Sequence, residues 1–104
     1  MLINWQSVPD APGVYIYQWI GHPIIKVGES RSMRTRIRTQ LTAIPFDVRV
    51  VGYIEITDRE DRRWTERRIH EAASAHRLRS ECFSVEALGR VLSILAMDSR
   101  ATVV

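Results

Sequence analysis

The sequence predicts an α/β (α+β) domain: a small, mainly antiparallel sheet with helices packed around it. Three observations carry this reading. Residues 13–27 form two short strand signals on either side of a Gly21-His22-Pro23 turn, the pattern of a hairpin. Phe46 to Ile56 is the longest β-branched run in the chain. Apolar residues recur at helical spacing in Met33, Ile37 and Leu41, and again in Val85, Leu88, Val91, Leu92, Leu95 and Ala96.

Each element then follows in order. Met1 to Ala11 is a lead-in, with Trp5 and Val8 expected to pack on the domain and Pro9, Asp10 and Pro12 suited to a turn. In the first strand, Gly13 to Trp19, Val14 and Ile16 point one way and Tyr15 and Tyr17 the other, onto a polar face. The second strand, Ile24 to Val27, is expected to end at Gly28, with Glu29 to Ser32 as a polar loop. Ser32 is the expected N-cap of a helix from Met33 to Leu41. Arg34 and Arg38 lie off its buried stripe, and Arg36 beside it. Gly52 marks a bulge or a close approach in the third strand. Asp58 caps a second helix running to about His76, with Glu60 and Asp61 in its first turn and Trp64, Ile69, Ala72 and Ala73 facing inward. Glu66 and His70, four residues apart, share one edge of that inner face. Arg77 to Ser80 reads as a basic connection, and Phe83 as a core residue. Ser84 opens a last helix over about 84–97, and the tail from Asp98 carries no signal.

Composition bounds the function. A chain of 104 residues, 45% hydrophobic and 26% charged, reads as one globular domain spanning 1–104. No apolar run approaches the ~20 residues of a membrane span, and Met1 to Trp5 lacks the features of a signal peptide. A cytoplasmic protein with no membrane partner is the expectation. Cys82 is the single cysteine, which excludes an internal disulfide and a cysteine-cluster metal site. The net charge is +3 and Lys26 is the one lysine, so the basic character is carried by arginine. Arginine's planar fork suits phosphate. The group Arg31 to Arg38 has few acids nearby and reads as a phosphate contact, with Arg31, Arg34 and Arg38 as nucleic-acid-binding candidates. The group Arg59 to Arg68 reads equally as a solvated face paired to Glu60, Asp61, Glu66 and Glu71.

Five pieces stand in order: Gly13-Val14-Tyr15, Lys26-Val27-Gly28, Arg36 eight residues beyond Gly28, Glu66-Arg67-Arg68-Ile69-His70, and Glu81-Cys82-Phe83. This set resembles the signature of the GIY-YIG nuclease superfamily. It looks most like the branch often called the T5orf172 or MUG113-like domain, in which lysine replaces the second motif tyrosine. The resemblance covers about residues 12–83. It implies a three-stranded sheet flanked by helices and a metal-dependent endonuclease that hydrolyses DNA phosphodiester bonds. It also implies that Gly13 and Gly28 shape the motif, that Tyr15 handles the attacking water, that Arg36 contacts the scissile phosphate and that Glu66 holds the metal.

The chemistry is consistent with those residue types. A hard cation, Mg2+ or Mn2+, is often held by a single carboxylate together with waters and substrate phosphate. The plainer reading of Glu66 is an exposed carboxylate paired with Arg62 or Arg63. A free phenol has a pKa of ~10, so Tyr15 is a poor base unless cations lower it, and Lys26 and Arg36 are the expected cations. His70 has three candidate roles: general base, phosphate donor and partner of Glu66. Lys26 cannot duplicate a phenol, which keeps a second reading open: a binding module for nucleic acid or protein on the same fold, without turnover. One small domain offers little surface for sequence specificity, so a homodimer or a partner is expected to supply any.

Overall fold

The hairpin forms as read. β1 (Gly13–Trp19) pairs antiparallel with β2 (Ile24–Ser30), with Tyr15 opposite Gly28 and Tyr17 opposite Lys26. This is a computed structural model that describes residues 4–104; Met1 to Ile3, the start of the expected lead-in, lie outside them. β2 does not stop at Gly28. It continues to Ser30, because Gly13 and Val14 at the start of β1 supply partners for Ser30 and Glu29.

The other edge of β1 pairs with β3 (Val48–Glu55). The register slips there: Ile16 faces Gly52, whereas Tyr17 faces Val50, leaving Val51 as an extra residue. This is the bulge anticipated near Gly52, and it inverts the alternation of the strand. Val48 and Val50 belong to one face of the sheet, Val51 and Ile54 to the other.

Among the described residues the sheet has six strands rather than three, in the order β4 (Arg77–Arg79), β5 (Cys82–Ser84), β2, β1, β3, β6 (Ala101–Val103), every pairing antiparallel. β4 (Arg77–Arg79) occupies the expected basic connection, β5 (Cys82–Ser84) carries Phe83 into the core, and β6 (Ala101–Val103) arises from the tail. Each is three residues long, too short for alternation to show, and each exists because an edge of β2, β5 or β3 is there to be paired.

Helices cover both faces. α1 (Met33–Leu41) lays Met33 and Ile37 on Tyr15, Tyr17, Val48 and Val50, with Val8 from the lead-in beside them. Tyr15 and Tyr17 are therefore 1% exposed each, and the polar strand face expected for them is a second core. α2 (Arg59–Ala72) and α3 (Leu88–Ala96) cover Val14, Ile16, Ile25, Val27 and Ile54 on the opposite face. Ser84 caps the short turn that leads into α3, accepting from the Glu86 N–H at 3.3 Å. No helix among the described residues is long and apolar enough to cross a membrane.

Two helix ends differ from expectation. Ser32 makes no side-chain cap. The Asp10 carboxylate takes that place from the lead-in, accepting from the Thr35 N–H at 3.0 Å and the Thr35 hydroxyl at 2.8 Å. Those hydrogen bonds hold the Asp10 carboxyl below its ordinary range. α2 is capped by Asp58 as read, the carboxylate accepting from the Asp61 N–H at 2.8 Å, but it ends at Ala72 instead of His76. Its inner face is also rotated. Arg62, Thr65 and Ile69 are buried, and Trp64 is 56% exposed.

The rotation follows from an ion pair the sequence hides. Arg62, 3% exposed, donates from Nε to Glu29 Oε2 at 2.7 Å and from its terminal nitrogen to the carbonyl of Thr57 at 3.2 Å. Glu29 lies 33 positions away at the end of β2. The arrangement fastens the start of α2 to the sheet and leaves the guanidinium hydrogen-bonded in a dry place, as a buried charge requires. Replacing Arg62 with Met removes one partner of a buried pair, and urea unfolding should show a loss of ~3 kcal/mol. Adding Glu29→Gln should restore part of it. A single variant as stable as the parent would remove this pair from the account of the fold.

Candidate functional site

The site is built where β1 and β2 run side by side. At Gly28 an added Cβ would lie 2.5 Å from the Tyr15 Oη and 2.7 Å from its Cζ, so the ring of Tyr15 lies across β2 in space that only a glycine leaves. Gly13 gives comparable room at the start of β1, where a Cβ would meet the Ile54 carbonyl and the thioether of Met33. The two motif glycines thus fit the tyrosine to β2 and α1 to β1.

Tyr15 and Tyr17 stack with centroids 5.9 Å apart and planes 11° from parallel. Gln40 of α1 joins them: its Nε2 donates to Tyr15 Oη at 3.0 Å, and its Oε1 accepts from Tyr17 at 2.9 Å. Sequence reasoning missed Gln40. The available signal was its position four residues after Arg36, on the same edge of the helix.

Burial pushes the Tyr15 hydroxyl up to about 12. The hydrogen bond from Gln40 and the neighbouring Arg36 guanidinium pull the other way, and the Glu81 charge adds to the rise. The expectation that cations lower this pKa is not met: desolvation of the phenolate outweighs Arg36. Lys26 is directed elsewhere. It stands opposite Tyr17, and its Nζ lies 3.7 Å from Glu81 Oε1. Glu81 thus pairs with Lys26, and its carbonyl accepts from the Val27 N–H at 3.1 Å.

Glu66 approaches from α2. It is half-buried, and its Oε2 is enclosed with no hydrogen-bond partner. It does not form the expected pair with Arg62, which is committed to Glu29. Burial, then the charges of Glu81 and Glu29, push its carboxyl up to about 7, while the Glu29 amide and Arg63 act in the opposite sense. Tyr15 and Glu66 therefore both lie within the field of Glu81.

His70 meets the sheet rather than Glu66. Its Nε2 lies 3.0 Å from the Val27 carbonyl, and its ring packs on Phe83 at 5.2 Å between centroids. A carbonyl only accepts, so Nε2 carries the proton in this contact. β5 pairs with β2 as far as Lys26, and His70 occupies the next position along that edge.

The arginines divide. Arg31 and Arg36 line a cleft of about 610 Å3 between α1 and α2, together with Arg59, Arg62, Arg63 and Glu29. Arg34 and Arg38 are exposed but do not line it; their charge is felt by Asp10. Of the three binding candidates, Arg31 alone joins Arg36. Part of the second cluster, expected to pair with acids along α2, comes with them.

Among the described residues no set of three or more His, Cys, Asp or Glu side chains is gathered as a metal cage. The donor that fits a hard cation is the unpartnered oxygen of Glu66, an acceptor among carboxylates where added positive charge is favourable.

The raised pKa of Glu66 has a consequence for stability. Between the unfolded value of 4.5 and the folded value of about 7, the native state binds the extra proton, so stability falls as pH rises through that window and levels off above it. With the effect discounted for solvent screening at a half-buried group, Glu66→Gln should be more stable than the parent by about 1–2 kcal/mol at pH 8. The two should converge near pH 4, as thermal unfolding in metal-free buffer would measure. Parallel pH profiles would contradict the burial assigned to this carboxyl.

Comparison with known protein families matches the T5orf172 domain to residues 13–96. No curated protein and no solved structure gives a significant match. The matched span runs from the first residue of β1 to the last of α3 and takes in every site residue described above. The chain belongs to the T5orf172 domain family.

Proposed function

We propose that the protein is a metal-dependent endonuclease of the GIY-YIG type that hydrolyses DNA phosphodiester bonds. The observation that carries this is the enclosed, unpartnered carboxylate oxygen of Glu66, near Glu29 and beside a cleft lined by arginines. Glu66 would hold a divalent cation, Mg2+ or Mn2+. When bound, that ion supplies charge neutralisation at the phosphate and at the leaving oxygen.

The remaining roles belong to the chain's own residues. Arg36, exposed and next to the Tyr15 hydroxyl, is placed to bind the scissile phosphate and to meet charge that grows in the transition state. With its pKa near 12, Tyr15 is a neutral phenol at physiological pH. It orients the attacking water by hydrogen bonding and does not serve as a standing base. Lys26 and Glu81, both partly exposed, pair with each other. His70 acts as a positioning residue through the Val27 carbonyl, next to Gly28.

The second reading, a binding module without turnover, is favoured by one observation. The position of the second motif tyrosine is filled by Lys26, and that charge is engaged with Glu81.

A plasmid-nicking assay in Mg2+ and, separately, in Mn2+ decides between them. Nicking should require the metal, vanish in Glu66→Ala, and fall about 100-fold in Arg36→Ala. Glu66→Ala cutting at the parental rate would sink the metal assignment. No nicking in either metal, with salt-sensitive DNA binding intact, would establish the binding module.

A further inference from the structure

We infer that the α1–α2 cleft and the outer face of α2 form a binding site for an unpaired nucleotide strand, with arginines holding its backbone and Trp64 stacking one of its bases. The inference rests on the nuclease reading for its place beside the scissile phosphate, and on the following geometry for its chemistry.

The cleft takes cations from three elements: Arg31 from the loop after β2, Arg36 from α1, and Arg59 and Arg63 from the first turns of α2. Arg31, Arg36 and Arg59 have no carboxylate partner among the described residues. Glu29 is the one acid in the lining, and Arg62 already neutralises it. The hydroxyl of Ser32 adds a donor suited to phosphate oxygens to this wall.

Arg63 also lines a second concavity of about 520 Å3 on the outer side of α2, with Trp64 and Arg67. Arg59, Arg63 and Arg67 are spaced four apart and make one track along the helix. Trp64 lies beside that track. Arg68 covers its ring at 5.7 Å, and more than half of the residue remains in solvent. Single exposed apolar residues are ordinary. An exposed tryptophan flanked by Arg63, Arg67 and Arg68 and adjoining a cationic cleft is the combination that single-strand binders use, a charged track with an aromatic platform. Of the acids in the outer concavity, Asp58 caps α2 and Asp61 pairs with Arg100 at 2.8 Å, which leaves Glu60. A base in a duplex cannot present its face to a side chain, so this platform specifies an unpaired nucleotide.

Binding of fluorescein-labelled oligothymidylate, and of a duplex of equal length, measured by fluorescence anisotropy in EDTA tests this without any cutting. Trp64→Ala should weaken single-strand binding about tenfold, leave duplex binding unchanged and leave the salt slope unchanged, with Trp64→Phe close to the parent. Arg59→Ala and Arg63→Ala should weaken both ligands and each lower the single-strand salt slope by about 0.7. Trp64→Ala binding oligothymidylate as the parent does, or losing both ligands equally, would overturn the proposal. The readout is independent of nicking. Trp64-dependent binding in a protein that never nicks leaves this site standing while the nuclease reading fails; nicking without Trp64-dependent binding does the reverse.

Discussion

The layers of this molecule are fastened to β1, where Gly13 to Tyr17 are all buried because strands pair with both edges and helices cover both faces. Five consecutive buried residues require that odd and even positions both find apolar company. The bulge at Val51 makes this possible on the β3 side, where it turns Val50 toward α1 and Val51 and Ile54 toward α2 and α3. The same constraint creates the site. Tyr15 is buried in the central strand, and the gap at Gly28 is where its hydroxyl is accommodated.

Electrostatics at the site is a contest among carboxylates. Glu29, Glu66 and Glu81 come from three different elements, and two of them have committed partners, Arg62 for Glu29 and Lys26 for Glu81. Glu66 has no such partner among the described residues, and burial, reinforced by the charges of Glu81 and Glu29, shifts its carboxyl up to about 7. One unpartnered carboxyl oxygen thus stands beside a cleft lined by arginines. On the proposed nuclease reading, a phosphate with its counter-cation would engage both at once.

How much of this was legible in the sequence depended on the range of the interaction. The hairpin, α1 and the Asp58 cap are short-range patterns, and they stand where the residues placed them. β4, β5 and β6 were not readable as strands, since three residues hold no period and their pairing is dictated by edges elsewhere. The apolarity of Trp64 predicts an inner residue of α2, but Arg62, whose partner is 33 residues distant, takes the inner face instead. The motif spacing named Tyr15, Arg36 and Glu66, and the structure adds what spacing cannot encode: Gln40 beside the phenol, the engagement of Lys26 with Glu81, and the attachment of His70 to the β2 edge.

Gln40 carries a consequence of its own. An amide is not symmetric: with its oxygen turned to Tyr17 and its nitrogen to Tyr15, it imposes one direction on the chain of hydrogen bonds. Tyr17 gives its proton to the amide, and the amide gives one to the Tyr15 oxygen. The proton of Tyr15 itself then has no place inside the chain and must point away from Gln40. Through Gln40, the hydroxyl of Tyr17 thereby sets the polarity of the hydroxyl of Tyr15.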